Sequence, residues 1–225
     1  MSDSKLVLVD GSSYLFRAYH ALPKLTSSRG EPTGAIHGVL NMINKLASDE
    51  ETTHFVVVFD APGKTFRDDI YPDYKANLDA MPEELKAQVE TLLEANPAMG
   101  LPLLRIEGVE ADDVIGTLCR QGHDAGMEVL VSTGDKDMAQ LVSDGVTLVN
   151  TMTGQVLDRD GVKEKFDVWP EQIIDWLALV GDTSDNIPGV PKVGAKTAAK
   201  WLNEYDSADN IVENADAIKG KVGES

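Results

Sequence analysis

Four short apolar, β-branched runs each lead into a carboxylate, and segments of helical spacing fill the gaps between them. Lys5 to Val9 ends in Asp10 and His54 to Phe59 ends in Asp60. Leu101 to Ile106 is followed by Gly108-Val109-Glu110, and Met127 to Ser132 by Thr133-Gly134-Asp135. Thr33 to Ala47 repeats Ile36, Leu40, Ile43 and Leu46 at helical spacing, Ala111 to Gly126 reads as a helix, and Pro170 to Val180 as an apolar helix. Val146 to Thr151 and Gln155 to Leu157 read as further short strands. Strands alternating with helices predict an α/β fold with a mainly parallel central sheet. Ligands in such folds gather beyond the carboxyl ends of the strands. Asp10, Asp60, Glu110 and Asp135 are placed there.

Nine acids make five clusters: Asp10; Asp60; Glu110, Asp112 and Asp113; Asp135 and Asp137; Asp182 and Asp185. Taken singly each has a bland reading. An Asp after a strand is commonly a turn residue or a helix N-cap, and Asp112 and Asp113 open a helix whose dipole favours acids. Asp182 and Asp185, three apart, would share a face on one helical turn. Taken together, so many carboxylates at one rim repel unless protons or cations neutralise them. An all-oxygen ligand set with no His or Cys points to Mg2+ or Mn2+ rather than Zn2+. Two such ions about 4 Å apart suit the hydrolysis of a phosphate ester.

The net charge of −18 argues at first sight against nucleic acid, which calls for a basic surface. Divalent ions bound among the nine acids would reverse the field a phosphate meets, so DNA binding is expected to be local and salt-sensitive. The single cysteine, Cys119, excludes an internal disulfide and fits a reducing, cytoplasmic setting. No apolar run approaches the roughly 20 residues that cross a bilayer. No membrane partner is expected, and a monomer is.

Two segments stand apart. Residues 61–98 are polar and carry Pro62, Pro72, Pro82 and Pro97, with helical spacing around Glu83 to Leu93, which predicts a long, mobile excursion from the sheet. Asn186 to Leu202 is dense in glycine, proline and lysine. Its stretch Ile187 to Ala198 reads as a hairpin entering a helix, with Gly189 and Gly194 allowing close backbone approach and leaving amides at the helix N-terminus for phosphate. Lys192, Lys196 and Lys200 add charge without base readout.

The segments Val9-Asp10-Gly11-Ser12-Ser13-Tyr14, Val58-Phe59-Asp60, Gly108-Val109-Glu110-Ala111-Asp112-Asp113, Ser132-Thr133-Gly134-Asp135-Lys136-Asp137 and Gly181-Asp182-Thr183-Ser184-Asp185-Asn186-Ile187-Pro188-Gly189-Val190 resemble the 5′ nuclease domain of bacterial DNA polymerase I, in its order and over essentially the whole chain. The resemblance implies a PIN-like 5′ nuclease fold with a helical arch at 61–98 and a helix–hairpin–helix module. It divides the chain into a nuclease core, 1–180, and the module, 181–225. It also implies that Asp10, Asp60, Glu110, Asp112 and Asp113 surround one metal, and Asp135, Asp137, Asp182 and Asp185 a second.

Within the arch, the resemblance sets Tyr74-Lys75-Ala76-Asn77 at a basic motif, with Lys75 over the scissile phosphate and Arg67 and Tyr74 among the DNA contacts. Without it, Lys75 would read as a solvated lysine on a loop. Arg17 matches an arginine that contacts the substrate phosphate, a salt bridge being the plain alternative. Tyr14 is a candidate for stacking on a base, although an aromatic at that spacing more often belongs to a core. Gly189, Lys192, Gly194, Lys196 and Thr197 match the module that grips duplex backbone, where a monovalent cation such as K+ can bind. Leu78 departs from the family, which has arginine there, and Lys64 to Glu94 carries eight acids against four bases. Weaker threading of substrate is expected from both.

The activity implied is removal of 5′ flaps and 5′ nucleotides, or primer RNA, from nicked or gapped duplex DNA in replication and repair. Two rivals are a PIN-type ribonuclease, which would lack the arch and the hairpin module, and a junction-binding scaffold with decayed chemistry, which would have lost ligands. The resemblance also implies helices beyond residue 225, a truncated module, and a polymerase portion in a longer chain.

Overall fold

The computed structural model describes residues 4–218, so residues 219–225, on which the expected truncation rests, lie outside the described residues. In chain order the elements are β1 (Lys5–Asp10), α1 (Gly11–Ala21), α2 (Gly34–Asp49), β2 (His54–Val58), α3 (Phe66–Ile70), α4 (Glu83–Ala98), β3 (Leu103–Leu104), α5 (Ala111–Asp124), β4 (Glu128–Ser132), β5 (Val146–Asn150) and β6 (Gln155–Leu157). They continue with α6 (Arg159–Phe166), α7 (Ile173–Val180), β7 (Gly181–Asp182), β8 (Ile187–Pro188), α8 (Ala195–Tyr205) and α9 (Ala208–Glu213). Among the described residues no helix is long and apolar enough to cross a membrane.

The chain gathers into two compact units. One comprises the residues up to Phe66 together with Asp79–Asp135 and Gly145–Val156; the other comprises Arg67–Leu78, Lys136–Asp144 and the chain from Leu157 onward.

The first unit is built on a sheet of order β3-β2-β1-β4-β5-β6. The pairings β1/β2, β1/β4, β2/β3 and β4/β5 are all parallel. Val7, Leu8 and Val9 of β1, Val57 and Val58 of β2 and Val131 of β4 are fully buried, as expected where helices cover both faces. From β1 the chain winds outward to β2 and β3, then returns to lay β4 and β5 on the other side. The strand order therefore reverses between β1 and β4, the position where open α/β sheets open a crevice at their carboxyl ends.

Two elements depart from the sequence expectation. Helix α1 is not among the expected helices, yet Gly11, Tyr14, Leu15 and Ala18 recur at helical spacing and form its buried face, and the Asp10 side chain caps its start, accepting the Ser13 N–H at 2.8 Å. Leu101 to Ile106 contributes only the two-residue edge strand β3, paired with Val57 and Val58; Pro102 has no N–H to give a ladder.

Residues 61–98 are not one mobile excursion. Their second half, α4, lies in the core of the first unit, with Leu85, Leu92 and Asn96 fully buried. Gln88, also buried, accepts from the Ala35 and Ile36 N–H groups at 2.9 and 3.3 Å and so satisfies the open N-terminus of α2. Polar residues misled the pattern because the buried Gln88 and Asn96 are bonded to backbone. Asn96 donates to the Leu92 carbonyl at 2.8 Å. Leu92→Ala is expected to destabilise the protein by about 2–5 kcal/mol, read as a lower denaturant midpoint. A midpoint like that of the parent chain would return this helix to the surface.

Candidate active site

Asp10 is the last residue of the central strand and is 4% exposed. One carboxylate oxygen caps α1; the other accepts the Thr133 hydroxyl at 2.7 Å. The same Thr133 oxygen accepts the Asp135 N–H at 3.0 Å, so one buried hydroxyl fixes the carboxylate after β1 and the backbone of the carboxylate after β4. Asp60 follows β2; its backbone N–H donates to Ser12 Oγ at 2.9 Å and its side chain accepts the Ala111 N–H at 2.7 Å, tying it to the start of α5. Asp113 turns back to accept the Glu110 N–H at 2.9 Å, which uses one of its oxygens as a helix cap.

The electrostatics of these acids follow from burial and crowding. Burial first, then the charges of Asp60 and Asp135, raise the Asp10 carboxyl to about 6 against the opposing bonds from Ser13 and Thr133. Asp112 is raised to about 8, again first by burial and then by Asp10, Asp135, Asp60 and Glu110. The first unit therefore brings Asp10, Asp60, Glu110, Asp112 and Asp135 into one field. Among the described residues no three His, Cys, Asp or Glu side chains are posed as a ready set of metal ligands. The donors nevertheless fit a hard divalent cation. They are all oxygen, and they lie at the crevice position of the sheet with charges that oppose one another.

Asp137, Asp182 and Asp185 belong to the second unit, where protein cations meet them. Lys136 Nζ lies 2.5 Å from Asp182 and 3.3 Å from Asp137. Burial would raise the Asp182 carboxyl, but Lys136 and the Ser184 and Asp185 N–H groups hold it below the ordinary range. Asp182 and Asp185 do not share a helical face. Asp182 ends β7 opposite Ile187, and Asp185 lies within the 183–186 turn that joins the antiparallel pair β7/β8.

The residues 71–78 are folded onto that turn. Tyr74 donates its hydroxyl to Asp185 at 3.1 Å, the Lys75 N–H donates to the Asp185 carbonyl at 3.0 Å, Asn77 donates to the Thr183 carbonyl and Asn186 to the Asp73 carbonyl, both at 2.7 Å. Lys75 has a positive φ of 52° and its ammonium lies 3.7 Å from Asp185. It is neither a freely solvated lysine nor aimed away from the acids. Leu78 is 56% exposed.

Two DNA-contact expectations, Tyr14 and Tyr74, need correction, and Arg17 and Arg67 do not. Tyr14 is fully buried, its hydroxyl 2.6 Å from Ser132 Oγ and 3.1 Å from Thr151 Oγ1, so its ring has no face to offer a base. Tyr74 is 8% exposed and its hydroxyl is taken by Asp185. Arg17 makes no ion pair among the described residues; its Nη1 donates to Asn150 Oδ1 at 3.2 Å. Arg67, in α3, is half-buried.

At the hairpin, Gly181 and Gly189 press backbone to backbone: a Cβ on Gly189 would lie 2.3 Å from the Val180 carbonyl, and one on Gly181 would lie 2.3 Å from the Gly189 nitrogen. Gly194 is the N-cap of α8, with open space where its Cβ would be, and Lys192, Lys196 and Lys200 are exposed beside it, with Thr197 half-buried. Asn150 lies outside every quoted motif, and Thr133, Gly134, Lys136 and Asn77 lie within the quoted motifs but carried no role of their own in the sequence. The clearest signal was that of Lys136, sitting between two of the acids.

Two family models match the chain end to end: the 5′-3′ exonuclease N-terminal resolvase-like domain over residues 5–167 and the 5′-3′ exonuclease C-terminal SAM fold over residues 168–225. The chain belongs to the 5′-3′ exonuclease family. It is 64% identical over 221 residues to DNA polymerase I of Pseudomonas aeruginosa, covering 95% of this chain but 24% of that protein. It is 45% identical over 209 residues to a 5′-3′ exonuclease of Aquifex aeolicus, covering 93% of this chain and 72% of that one. The chain thus spans about a quarter of the polymerases it matches.

Among solved structures, T5 5′-exonuclease with bound zinc ions superposes with a TM-score of 0.80 at 27% identity, covering 96% of this chain and 81% of that one. The T5 D15 flap endonuclease, in a pseudo-enzyme-product complex with DNA and metal ions, superposes with a TM-score of 0.77 at 27% identity over 96% of this chain and 80% of that one. The catalytic core of Rad2, 16% identical with a TM-score of 0.63, shares the fold.

The raised carboxyls fix a pH dependence. Asp10 and Asp112 hold protons in the folded state that the unfolded chain, at its ordinary value near 3.8, has already lost. Stability from these groups therefore declines as pH rises from about 4 through about 8. The thermal midpoint of the metal-free protein is expected to drop between about pH 5 and about pH 9, and saturating Mg2+ is expected to flatten the decline. Asp112→Asn should raise the midpoint in chelator at pH 8; a lower midpoint would show that its charge is not the source of the penalty.

Proposed function

We propose that the chain is a structure-specific 5′ nuclease acting on 5′ flaps and 5′ ends of nicked or gapped duplex DNA, and on primer RNA annealed to it. The observation that carries this reading is the placement of Asp10, Asp60, Glu110, Asp112 and Asp135 at the carboxyl ends of the strands, in a chain of the 5′-3′ exonuclease family. These residues would hold Mg2+ or Mn2+, and Asp137, Asp182 and Asp185 would hold a further ion. Bound there, such ions supply Lewis acidity and a water activated near neutral pH.

The protein's own groups do the rest. Thr133 and Ser12 orient the acids; Arg17 presents a guanidinium to the phosphate. Lys75 stabilises charge developing on the scissile phosphate, leaving its pairing with Asp185 as substrate arrives. Gly189, Lys192, Gly194, Lys196 and Thr197 receive duplex phosphates, since the open α8 N-terminus and the exposed lysines provide charge without base readout. A K+ ion at this hairpin and a polymerase portion in a longer chain rest on the resemblance and on the relatives alone. Among rivals, a PIN-type ribonuclease is disfavoured by the hairpin entering α8.

A labelled 5′-flap duplex should be cut in Mg2+ and left whole in chelator. Lys75→Ala should lower kcat by roughly 10²- to 10³-fold while the protein still binds DNA. Binding without cleavage in Mg2+ would favour the junction scaffold; cleavage in chelator would remove the metal from the account.

A further inference from the structure

Asn150 closes β5 and uses its side-chain carbonyl three times. Oδ1 accepts Arg17 Nη1 at 3.2 Å, the Met152 N–H at 3.1 Å and the Thr153 N–H at 3.3 Å. From α1, the Arg17 side chain crosses the backbone that follows β4. A Cβ on Gly134 would fall 1.4 Å from Arg17 Nη2, so the guanidinium occupies the space that a side chain there would fill. Three segments of the first unit, remote in sequence, thus form a seat for one guanidinium.

The acceptor in this seat is a neutral amide. Arg17 makes no ion pair among the described residues, although the chain carries a net charge of −18 and the residue beside Gly134 is Asp135. An aspartate at position 150 could accept the same three hydrogen bonds and bind the guanidinium more strongly. It would also cancel the charge. An amide keeps the direction of the side chain and leaves its charge unspent.

We infer that Asn150 is a positioning residue that holds Arg17 oriented but uncompensated, so that its full charge meets a substrate phosphate. Gly134 is the second part of the seat. The inference rests on the reading of Arg17 as a phosphate contact, and its test separates the two.

Equilibrium binding of a fluorescein-labelled 5′-flap duplex to the full chain, with Ca2+ in place of Mg2+, is measured across a salt series for the parent, Arg17→Ala, Asn150→Asp and the double variant. Arg17→Ala is expected to weaken binding roughly tenfold or more, the worth of one charged hydrogen bond. Asn150→Asp should weaken it to a similar degree and lower the slope of log affinity against log salt by about one. The double variant should bind no more weakly than Arg17→Ala alone.

A parent-like Asn150→Asp would overturn the inference. So would an equal loss from Asn150→Asp with and without Arg17, which would be a general field effect. No loss in Arg17→Ala would overturn the reading of Arg17 itself. Should Asn150→Asp fold poorly by thermal melt, Gly134→Ala carries the same cycle, because its Cβ displaces the guanidinium. Its loss must likewise vanish in the Arg17→Ala background.

Discussion

The repulsion among carboxylates at the carboxyl ends of β1, β2 and β4 is the constraint on which the first unit depends. Asp10 is buried at the end of the central strand, and its two oxygens are already engaged by the α1 cap and by Thr133. Those bonds fix the carboxylate but do not neutralise it. Asp112, facing Asp10, Asp135, Asp60 and Glu110, takes the largest consequence and keeps its proton to about pH 8. A fold that spends stability on holding like charges together is arranged for a cation, and the reversal of strand order between β1 and β4 is where the topology leaves room for one.

The second unit meets the same problem in another way. Its acids are met by ammonium groups: Asp137 and Asp182 by Lys136, Asp185 by Lys75. The residues 71–78 are held on the 183–186 turn by backbone and side-chain hydrogen bonds rather than left as a free strap. Lys75 is thus held against an acid in a defined conformation with positive φ.

Much of this was legible in the sequence because strands buried on both faces are plainly apolar and a carboxylate directly after a strand can be placed without knowing the rest. The α/β order and the positions of Asp10, Asp60, Glu110 and Asp135 followed from that. Other features depended on tertiary partners. Helix α4 hides Gln88 and Asn96 in the core by bonding them to backbone. A strand end at Asp182 with Asp185 in the turn after it could not be told from a helical turn, since a spacing of three suits both. For Tyr14 the core reading, which its spacing already favoured, is the one the structure bears out, whereas the burial of Tyr74 depends on its partner Asp185 and carries no local mark. Asn150 and Gly134 were silent for the same reason: their role lies in what they leave room for.

The central claim is that these carboxylates are held together for divalent cations. It is tested most directly by calorimetric titration of the metal-free protein with Mn2+ at pH 7 in buffers of different ionisation enthalpy. Uptake of ions accompanied by proton release, with the release diminished in Asp112→Asn, is the predicted result, because the proton kept by Asp112 must leave as the cation enters. No uptake, or uptake with no proton released, would contradict the account.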